Sequence, residues 1–141
     1  MIYTQLTNKA MQIAYRAHHG QTDRSGVPYV FHPFHLAEQM ETEETTVAAL
    51  LHDVAEDTEL TLDDLREMGI PEWVLEALAL LTHDPAVPYL EYVARLKDNE
   101  IARAVKLADL KHNSDLTRLN RVGPRDLERV EKYRRAMEIL Q

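Results

Sequence analysis

The sequence predicts an all-helical fold, and three observations support this class. The chain of 141 residues contains only four glycines and two phenylalanines. Ala, Leu, Glu and Arg, which favour helices, are plentiful. Apolar residues recur mostly at intervals of three and four, as on one face of a helix, rather than at the interval of two that is typical of strands. We therefore expect a compact bundle of about seven or eight helices, forming a single domain over residues 1–141.

The first part of the chain predicts two helices joined by a polar loop. The first helix runs from about Thr4 to His18 and ends before Gly20, because glycine commonly follows a helix C-terminus. The loop covers residues 21–29. Pro33 is tolerated in the first turn of a helix, so we expect a short helix over residues 32–40.

The middle of the chain predicts three more helices. A more buried helix runs from 43 to about 55, since its sequence is almost continuously apolar after the first turn. Thr61 has the side chain of an N-cap, and the short helix that it begins ends at Gly69. A third helix begins at Pro71 and continues to Leu81.

The last part of the chain predicts three further helices. Pro88 begins one, and residues 100 to about 116 form another, which the Gly123-Pro124 pair separates from the last. The final helix covers residues 124–140. Its inward face is predicted from residues at helical spacing, namely Leu127, Val130, Tyr133, Met137 and Leu140.

Composition excludes several classes of function. The 24 acidic residues exceed the 16 basic ones and give a formal charge of −8, which disfavours nucleic-acid binding through a basic face. No cysteine is present, so disulfides, thiolate zinc sites and a cysteine nucleophile are ruled out. Apolar runs such as 47–51 are far shorter than the ~20 residues of a membrane helix. With no export signal at the start, we expect a cytoplasmic protein that does not bind membranes.

The segment from Ala48 to Thr58 carries the strongest chemical pattern. His52 and Asp53 follow directly on a buried-looking apolar turn. On a regular helix Glu56 would lie within about 40° of His52, and Asp57 within about 40° of Asp53. One helix edge would then present a nitrogen and three carboxylates, whose repulsion a divalent cation could neutralise. The alternative is a solvated acidic helix end whose histidine is hydrogen-bonded.

Two other segments add candidate metal ligands. His32 stands at a helix start after the apolar Tyr29-Val-Phe stretch, and Asp109 interrupts the apolar face of the helix after residue 100. With His52 and Asp53 they form a set of two imidazoles and two carboxylates. Such a mixed set suits Mn²⁺, Fe²⁺ or Zn²⁺, with water in the remaining positions.

Four stretches share the order and spacing of one known family. They are Ala17-His18-x-Gly20-Gln21, Ser25-Gly26-x-Pro28-Tyr29-x-x-His32-Pro33, Ala49-Leu-Leu-His52-Asp53-Val-x-Glu56-Asp57-Thr58, and Val105-Lys-Leu-Ala-Asp109 with Asn113. In these the chain resembles the HD-domain metal phosphohydrolases, specifically the hydrolase domain of RelA/SpoT-type proteins and the stand-alone small alarmone hydrolases. The matching stretches cover most of the chain.

The resemblance implies a helical enzyme that removes pyrophosphate from the 3′ position of guanosine tetra- or pentaphosphate. Glu56 would orient or deprotonate the attacking water, and Asp57 would position it or assist the leaving oxygen. The chain has no room for the family's synthetase domain. One Mn²⁺ would be bound by the four matching residues His32, His52, Asp53 and Asp109.

The resemblance also implies a set of substrate contacts. They are Arg24, Ser25, Tyr29, Asn113, Arg129 and Tyr133. The chain departs from the family at Asp23-Arg24, where family members usually have Arg-Lys. Arg24 can replace the lysine as a phosphate partner, but Asp23 cannot stack on a purine.

Two alternatives therefore remain open. One is an HD hydrolase of another nucleotide phosphate, such as NADPH. The other is a nucleotide-binding module without activity. In every case the expected partner is a small phosphorylated nucleotide. The sequence predicts no oligomeric state, no role for His112, and only a surface or supporting role for His35.

Overall fold

All 141 residues are described in the computed structural model, which contains helices and no strand. The only β-type pairing is an isolated bridge between Thr22 and Pro28 in the first loop. The all-helical prediction is confirmed. The helices are α1 (Gln5–Ala17), α2 (Phe31–Glu38), α3 (Glu43–Leu51), α4 (Val54–Asp57), α5 (Leu62–Glu67), α6 (Glu72–Leu81), α7 (Tyr89–Arg95), α8 (Glu100–Asn113) and α9 (Pro124–Leu140).

Helix α3 lies at the centre of the molecule. Every residue from Thr46 to Leu51 is buried, because α1, α2, α6 and α8 all pack against this short helix. An element enclosed on all sides is apolar around its whole circumference, which explains why its sequence shows no polar face. The one polar residue in this stretch, Thr46, donates from its hydroxyl to the Thr42 carbonyl at 2.7 Å. Because His52 directly follows the buried C-terminal end of α3, it also lies in the interior.

The helix predicted from 43 to about 55 is interrupted at its functional end. Helix α3 ends at Leu51 and α4 begins at Val54, with Asp53 between them at φ −104° and ψ 0°. Adjacent side chains of a regular helix diverge by about 100°. Here His52 Nε2 and Asp53 Oδ2 lie 2.9 Å apart. The break lets two neighbouring residues point to the same place, and the single-helix prediction was wrong at this point.

Several other helix ends lie at the residues that the capping pattern predicted, and the end of α8 does not. Thr4 and Thr61 accept hydrogen bonds as N-caps, and Pro71 and Gly123 stand at the N-cap positions of α6 and α9. Helix α8 ends at Asn113 rather than near 116, and a 3₁₀ turn follows at Leu116–Arg118. The Asp115 carboxylate accepts from the Thr117 amide at 3.0 Å and begins that turn. No helix has the length and apolar character that would let it cross a bilayer.

The predicted inward face of α9 was wrong at its first position. Leu127 is 57% exposed, whereas its neighbour Asp126 is buried. The reason is electrostatic: the Asp126 carboxylate accepts from the Gly123 amide at 2.8 Å and from Arg24 Nη1 at 2.9 Å. Residues 126, 133, 136 and 140 also have helical spacing, so periodicity alone did not distinguish the two faces.

Two leucine substitutions test this assignment of core and surface. Leu78 of α6 is 1% exposed, so Leu78→Ala should lower the free energy of unfolding by about 2–5 kcal/mol. Leu127→Ala, the matched control, should change it by less than about 0.5 kcal/mol. Urea denaturation of the two variants measures both values. A loss at Leu127 as large as that at Leu78 would contradict the fold described here.

Candidate metal centre and substrate cavity

Three of the predicted metal ligands meet in the interior. His32 comes from α2, His52 follows α3, and Asp109 comes from α8. All three are buried, and one donor atom from each lies within 4.8 Å of the other two. Because an unpaired buried polar atom is costly and His52 Nε2 has no hydrogen-bond partner, this group of two imidazoles and a carboxylate needs a compensating partner. A cation of small radius between the three is such a partner.

Asp53 completes the predicted set at the edge of this cluster. Its Oδ2 lies 2.9 Å from His52 Nε2. The Tyr29 hydroxyl donates to the same oxygen, so the loop before α2 helps to hold the carboxylate in place. The four predicted ligands thus form one connected group, although 77 residues separate His32 from Asp109.

The protonation of His52 favours a ligand role for its second nitrogen. Its Nδ1 lies 2.7 Å from the Ala49 carbonyl oxygen. A carbonyl only accepts, so Nδ1 carries the hydrogen. Nε2 is buried and makes no hydrogen bond of good geometry, although Asp53 Oδ2 is 2.9 Å and Asp109 Oδ1 3.6 Å away. A nitrogen lone pair facing two carboxylates requires a positive charge between them.

The pKa of His52 also indicates that positive charge is favoured at this position. Burial lowers this pKa, but the nearby carboxylates of Asp53 and Asp109 outweigh burial and raise it well above its usual range. The site therefore attracts positive charge to Nε2, as a proton or as a metal ion. The nitrogen and oxygen donors fit a divalent transition-metal ion rather than Ca²⁺, which takes oxygen ligands.

Asp109 is held ionised by partners on its own helix. Lys106 Nζ lies 2.9 Å from Oδ2, and Asn113 Nδ2 donates to Oδ1 at 3.0 Å. Burial raises the pKa of Asp109, but Lys106, His32 and His52 together lower it well below its usual value. Lys106 is itself enclosed, with its ammonium 5.7 and 5.4 Å from the ring centroids of Tyr89 and Tyr92. The spacing of three and four residues along α8 places both partners beside the carboxylate.

His112 contacts the cluster, although the sequence predicted no role for it. Its Nδ1 lies 2.7 Å from His32 Nδ1. Burial, with the nearby charge of Arg118, lowers the pKa of His112 to about 4. One feature of the sequence could have predicted this contact: His112 follows Asp109 by three residues, so the two side chains lie next to each other on one helix surface.

Glu56 and Asp57, the predicted catalytic pair, lie on α4 at the rim of the cluster. Both residues are exposed. For each carboxylate, partial burial and then repulsion from Asp53 raise the pKa. The Asp57 carbonyl accepts from Gln21 Nε2 at 2.9 Å, which ties α4 to the first loop. Carboxylates with raised pKa values beside a cluster of ligands are suited to proton transfer.

A cavity of about 350 Å³ adjoins His32, and every predicted substrate contact lines it. The first loop contributes three of these residues, α8 one, and α9 two. The structure thus brings together Arg24, Ser25, Tyr29, Asn113, Arg129 and Tyr133.

The walls of this cavity alternate positive and negative groups. Arg118 lines it beside Arg24 and Arg129, and each arginine has an aspartate partner. Asp126 Oδ1 accepts from Arg24 Nη1 at 2.9 Å and from Arg129 Nη2 at 3.3 Å. The sequence indicated neither Arg118 nor Asp126, because Asp126 looked like an ordinary residue of a helix N-terminus. These pairs place the three guanidinium groups beside the cavity.

Asp23, the departure from the family pattern, organises the first loop. Its Oδ1 accepts from the Ser25 and Val27 amides at 2.8 and 3.0 Å. Gly26 follows at φ +84°, a conformation that favours glycine. The free oxygen, Oδ2, lies 3.8 Å from Arg118 Nη2. The carboxylate therefore shapes the turn that presents Arg24 and Ser25, and it offsets part of the positive charge.

A larger groove of about 1070 Å³ runs between α1 and residues 57–60. Asp57 lies at one end, but none of the predicted metal ligands or substrate contacts lines it. Its walls are mainly amides and charged side chains on the solvent side of α1. We assign the candidate site to the smaller cavity because that one adjoins the buried ligands.

Comparison with known proteins identifies relatives of the chain by sequence and by fold. No protein-family model matches the chain. It is 34% identical over 120 residues to a protein of Spiroplasma citri named guanosine-3′,5′-bis(diphosphate) 3′-pyrophosphohydrolase, covering 74% of this chain and 16% of that protein. It is 34% identical over 147 residues to a GTP pyrophosphokinase of Streptomyces coelicolor, covering 94% of this chain and again 16% of the relative.

Two further comparisons extend this result. Over 64 residues, 43% of this chain and 9% of the relative, identity to the bifunctional (p)ppGpp synthase/hydrolase SpoT of Escherichia coli is 47%. The fold matches a solved structure of a metazoan ortholog of SpoT that hydrolyses ppGpp. The TM-score is 0.73 and the identity 24%, over 99% of this chain and 85% of the other. On its motifs, relatives and fold, the chain belongs to the RelA/SpoT-type hydrolase domains of the HD-domain family.

Proposed function

We propose that the protein is a metal-dependent (p)ppGpp 3′-pyrophosphohydrolase whose cation is Mn²⁺. One observation carries this proposal: two imidazoles and two carboxylates, three of these four residues being buried, form a cluster that adjoins, through His32, a cavity lined by three arginines. The activities named for the Spiroplasma and Escherichia relatives support it. The chain covers only a small part of those proteins, so activity and substrate remain for experiment.

The proposed metal ligands are His32, His52, Asp53 and Asp109. A divalent cation bound by them would lower the pKa of a bound water and polarise a phosphoryl oxygen. Mixed nitrogen and oxygen ligands also accept Fe²⁺ and Zn²⁺, so metal supply will influence occupancy. Lys106 and Asn113 would keep Asp109 ionised and oriented whichever of these metal ions is bound.

Glu56 and Asp57 would act in proton transfer at the rim of the metal centre. In hydrolysis, the water oxygen bonds to phosphorus while the bond from phosphorus to the 3′ oxygen of the ribose breaks. Glu56, whose pKa burial and Asp53 raise, would accept the water proton. Asp57 would orient the same water or protonate the departing 3′ oxygen. The products are GDP and pyrophosphate when ppGpp is the substrate.

The cavity would hold the nucleotide through its arginines and its aromatic wall. Arg24 and Arg129 each donate to the same buried carboxylate of Asp126, which keeps both guanidinium groups beside the cavity, where their remaining N–H groups could bind phosphate. Tyr133 and Asn113 line the same space, which makes them available to the nucleoside. Local positive charge is needed here because the protein carries a net charge of −8.

The direct test is hydrolysis by the purified chain. With Mn²⁺ and ppGpp we expect GDP and pyrophosphate, loss of turnover on addition of EDTA, and recovery when Mn²⁺ is restored. Turnover that survives chelation would refute the metal-dependent mechanism. A nucleotide that raises the melting temperature without being hydrolysed would favour a binding module instead.

A second substrate class is favoured by one observation, the aspartate at position 23. Without the family arginine, position 23 offers no group that could stack on guanine. A panel containing ppGpp, pppGpp, NADPH and other nucleotide phosphates, all with Mn²⁺, would separate the candidates. Faster phosphate release from NADPH than pyrophosphate release from ppGpp would overturn the alarmone assignment.

Asp23→Asn tests the electrostatic effect of that aspartate. Asparagine keeps the oxygen that accepts from the Ser25 and Val27 amides, but it removes a negative charge beside the cavity. We expect KM for ppGpp to fall about fivefold, the effect of roughly 1 kcal/mol, with kcat little changed. Steady-state kinetics measure both constants. An increase in KM would show that the Asp23 charge assists binding and would contradict this interpretation.

A further inference from the structure

We propose that His112 is a positioning residue that keeps His32 in the tautomer required for metal binding. The inference rests on the proposed metal site and adds a residue to which the family motifs gave no role. It concerns where one proton resides, between the two ring nitrogens that meet at the back of His32.

The position of the proton follows from the contacts of His32. Its Nε2 faces Asp109 Oδ1 at 2.9 Å, inside the cluster, and its Nδ1 lies 2.7 Å from His112 Nδ1. A metal ion takes a lone pair from Nε2, so the ring hydrogen must then be on Nδ1. At that separation only one hydrogen fits between the two Nδ1 atoms. His112 must therefore accept it, with its own hydrogen on Nε2.

The ring geometry suits this hydrogen bond. The His32 and His112 planes are inclined by only 6°, and their centroids are 5.0 Å apart. With the two Nδ1 atoms 2.7 Å apart, this separation places the rings edge to edge in nearly one plane. The hydrogen of one nitrogen then points along the in-plane lone pair of the other, which is the favourable direction.

The two histidine ligands differ in how their tautomers are fixed. For His52 the acceptor is the backbone carbonyl of Ala49, which no side-chain substitution removes. For His32 the corresponding acceptor is a side chain. The backbone of His112 is held by Arg118, whose Nη1 donates to its carbonyl oxygen at 2.9 Å, and the His35 ring packs against the His112 ring with the ring centres 4.2 Å apart. Of the two histidine ligands, His32 is therefore the one whose metal affinity a side-chain substitution outside the cluster can change.

Three variants test the inference by the binding of Mn²⁺ alone, measured calorimetrically. His112→Leu removes the acceptor and should weaken Mn²⁺ binding about 10- to 100-fold. His112→Asn has a similar shape, and its Oδ1 can replace the lost Nδ1 as acceptor, so its affinity should remain near that of the wild type. His35→Ala keeps the acceptor and removes only the ring packed against it, so its affinity should not change.

A second readout reports the proton itself. In the Zn²⁺-loaded wild type, which is diamagnetic, long-range ¹H–¹⁵N spectra should show His32 protonated at Nδ1. Melting temperatures confirm that each variant is folded. Unchanged Mn²⁺ affinity in folded His112→Leu, equal losses in the Leu and Asn variants, or an equal loss in His35→Ala would each overturn the proposal. Failure of the wild type to bind Mn²⁺ would instead contradict the proposed function, on which the proposal for His112 rests.

Discussion

Replacing Asp53 with alanine is expected to lower kcat/KM for ppGpp by at least about a thousandfold. The substitution removes one of four proposed ligands and leaves the Tyr29 hydroxyl and His52 Nε2 without the oxygen they share. Loss of several kcal/mol of metal-based charge stabilisation in the transition state corresponds to this factor. Stopped assays of pyrophosphate release measure the rate, and elemental analysis of the purified variant measures its metal content.

A matched control separates the ligand role from a general effect of removing acidic charge. Asp63 of α5 has a side chain that is 86% exposed and lies on another helix. Asp63→Ala should retain both the wild-type rate and the wild-type metal content. If Asp53→Ala also binds Mn²⁺ and hydrolyses ppGpp normally, Asp53 is not a ligand and the four-residue centre is wrong.

Replacing Glu56 with glutamine is expected to lower kcat about 10²- to 10⁴-fold, the usual effect of removing a general base. Glutamine keeps the size of the side chain but cannot accept the water proton. Because Glu56 stands at the rim and is not among the buried donors, Mn²⁺ affinity should stay near the wild-type value. Kinetics under saturating ppGpp, with a parallel Mn²⁺ titration, distinguish these effects.

Glu59→Gln is the control for this substitution. Glu59 lies three residues further along and lines the groove beside α1 rather than the substrate cavity. Its replacement should leave kcat unchanged. A Glu56→Gln variant that turns over ppGpp at the wild-type rate would remove Glu56 from the mechanism, whereas one that loses Mn²⁺ would make Glu56 a ligand.

Local patterns predicted much of the fold because helix spacing, N-caps and prolines act over a few residues. The helix from about Thr4 to His18, the Thr61 cap and the start of the last helix at Pro124 all agree with the structure. The break at Asp53 was not predictable in this way. It depends on contacts with Tyr29 and with the side chains of α8, which lie far away in sequence.

The residues of the candidate site differ in the same way: local sequence predicted some of them and not others. His32, His52, Asp53 and Asp109 were identifiable because ionisable residues in apolar stretches are rare without a reason. His112 and Asp126 were not, because each has an ordinary local explanation on its helix. Asp126 acquires its second role only from Arg24, 102 residues earlier in the chain. Leu127 was misplaced for the same reason, since in the first turn of α9 it is Asp126, paired with Arg24, that turns inward.

The most direct test of the central claim is anomalous X-ray diffraction from crystals grown with Mn²⁺. We expect one strong manganese peak within bonding distance of His32, His52, Asp53 and Asp109, and none at comparable height elsewhere. A cluster that stays without a peak at saturating Mn²⁺, or a peak bound by other residues, would contradict the metal centre and the chemistry derived from it.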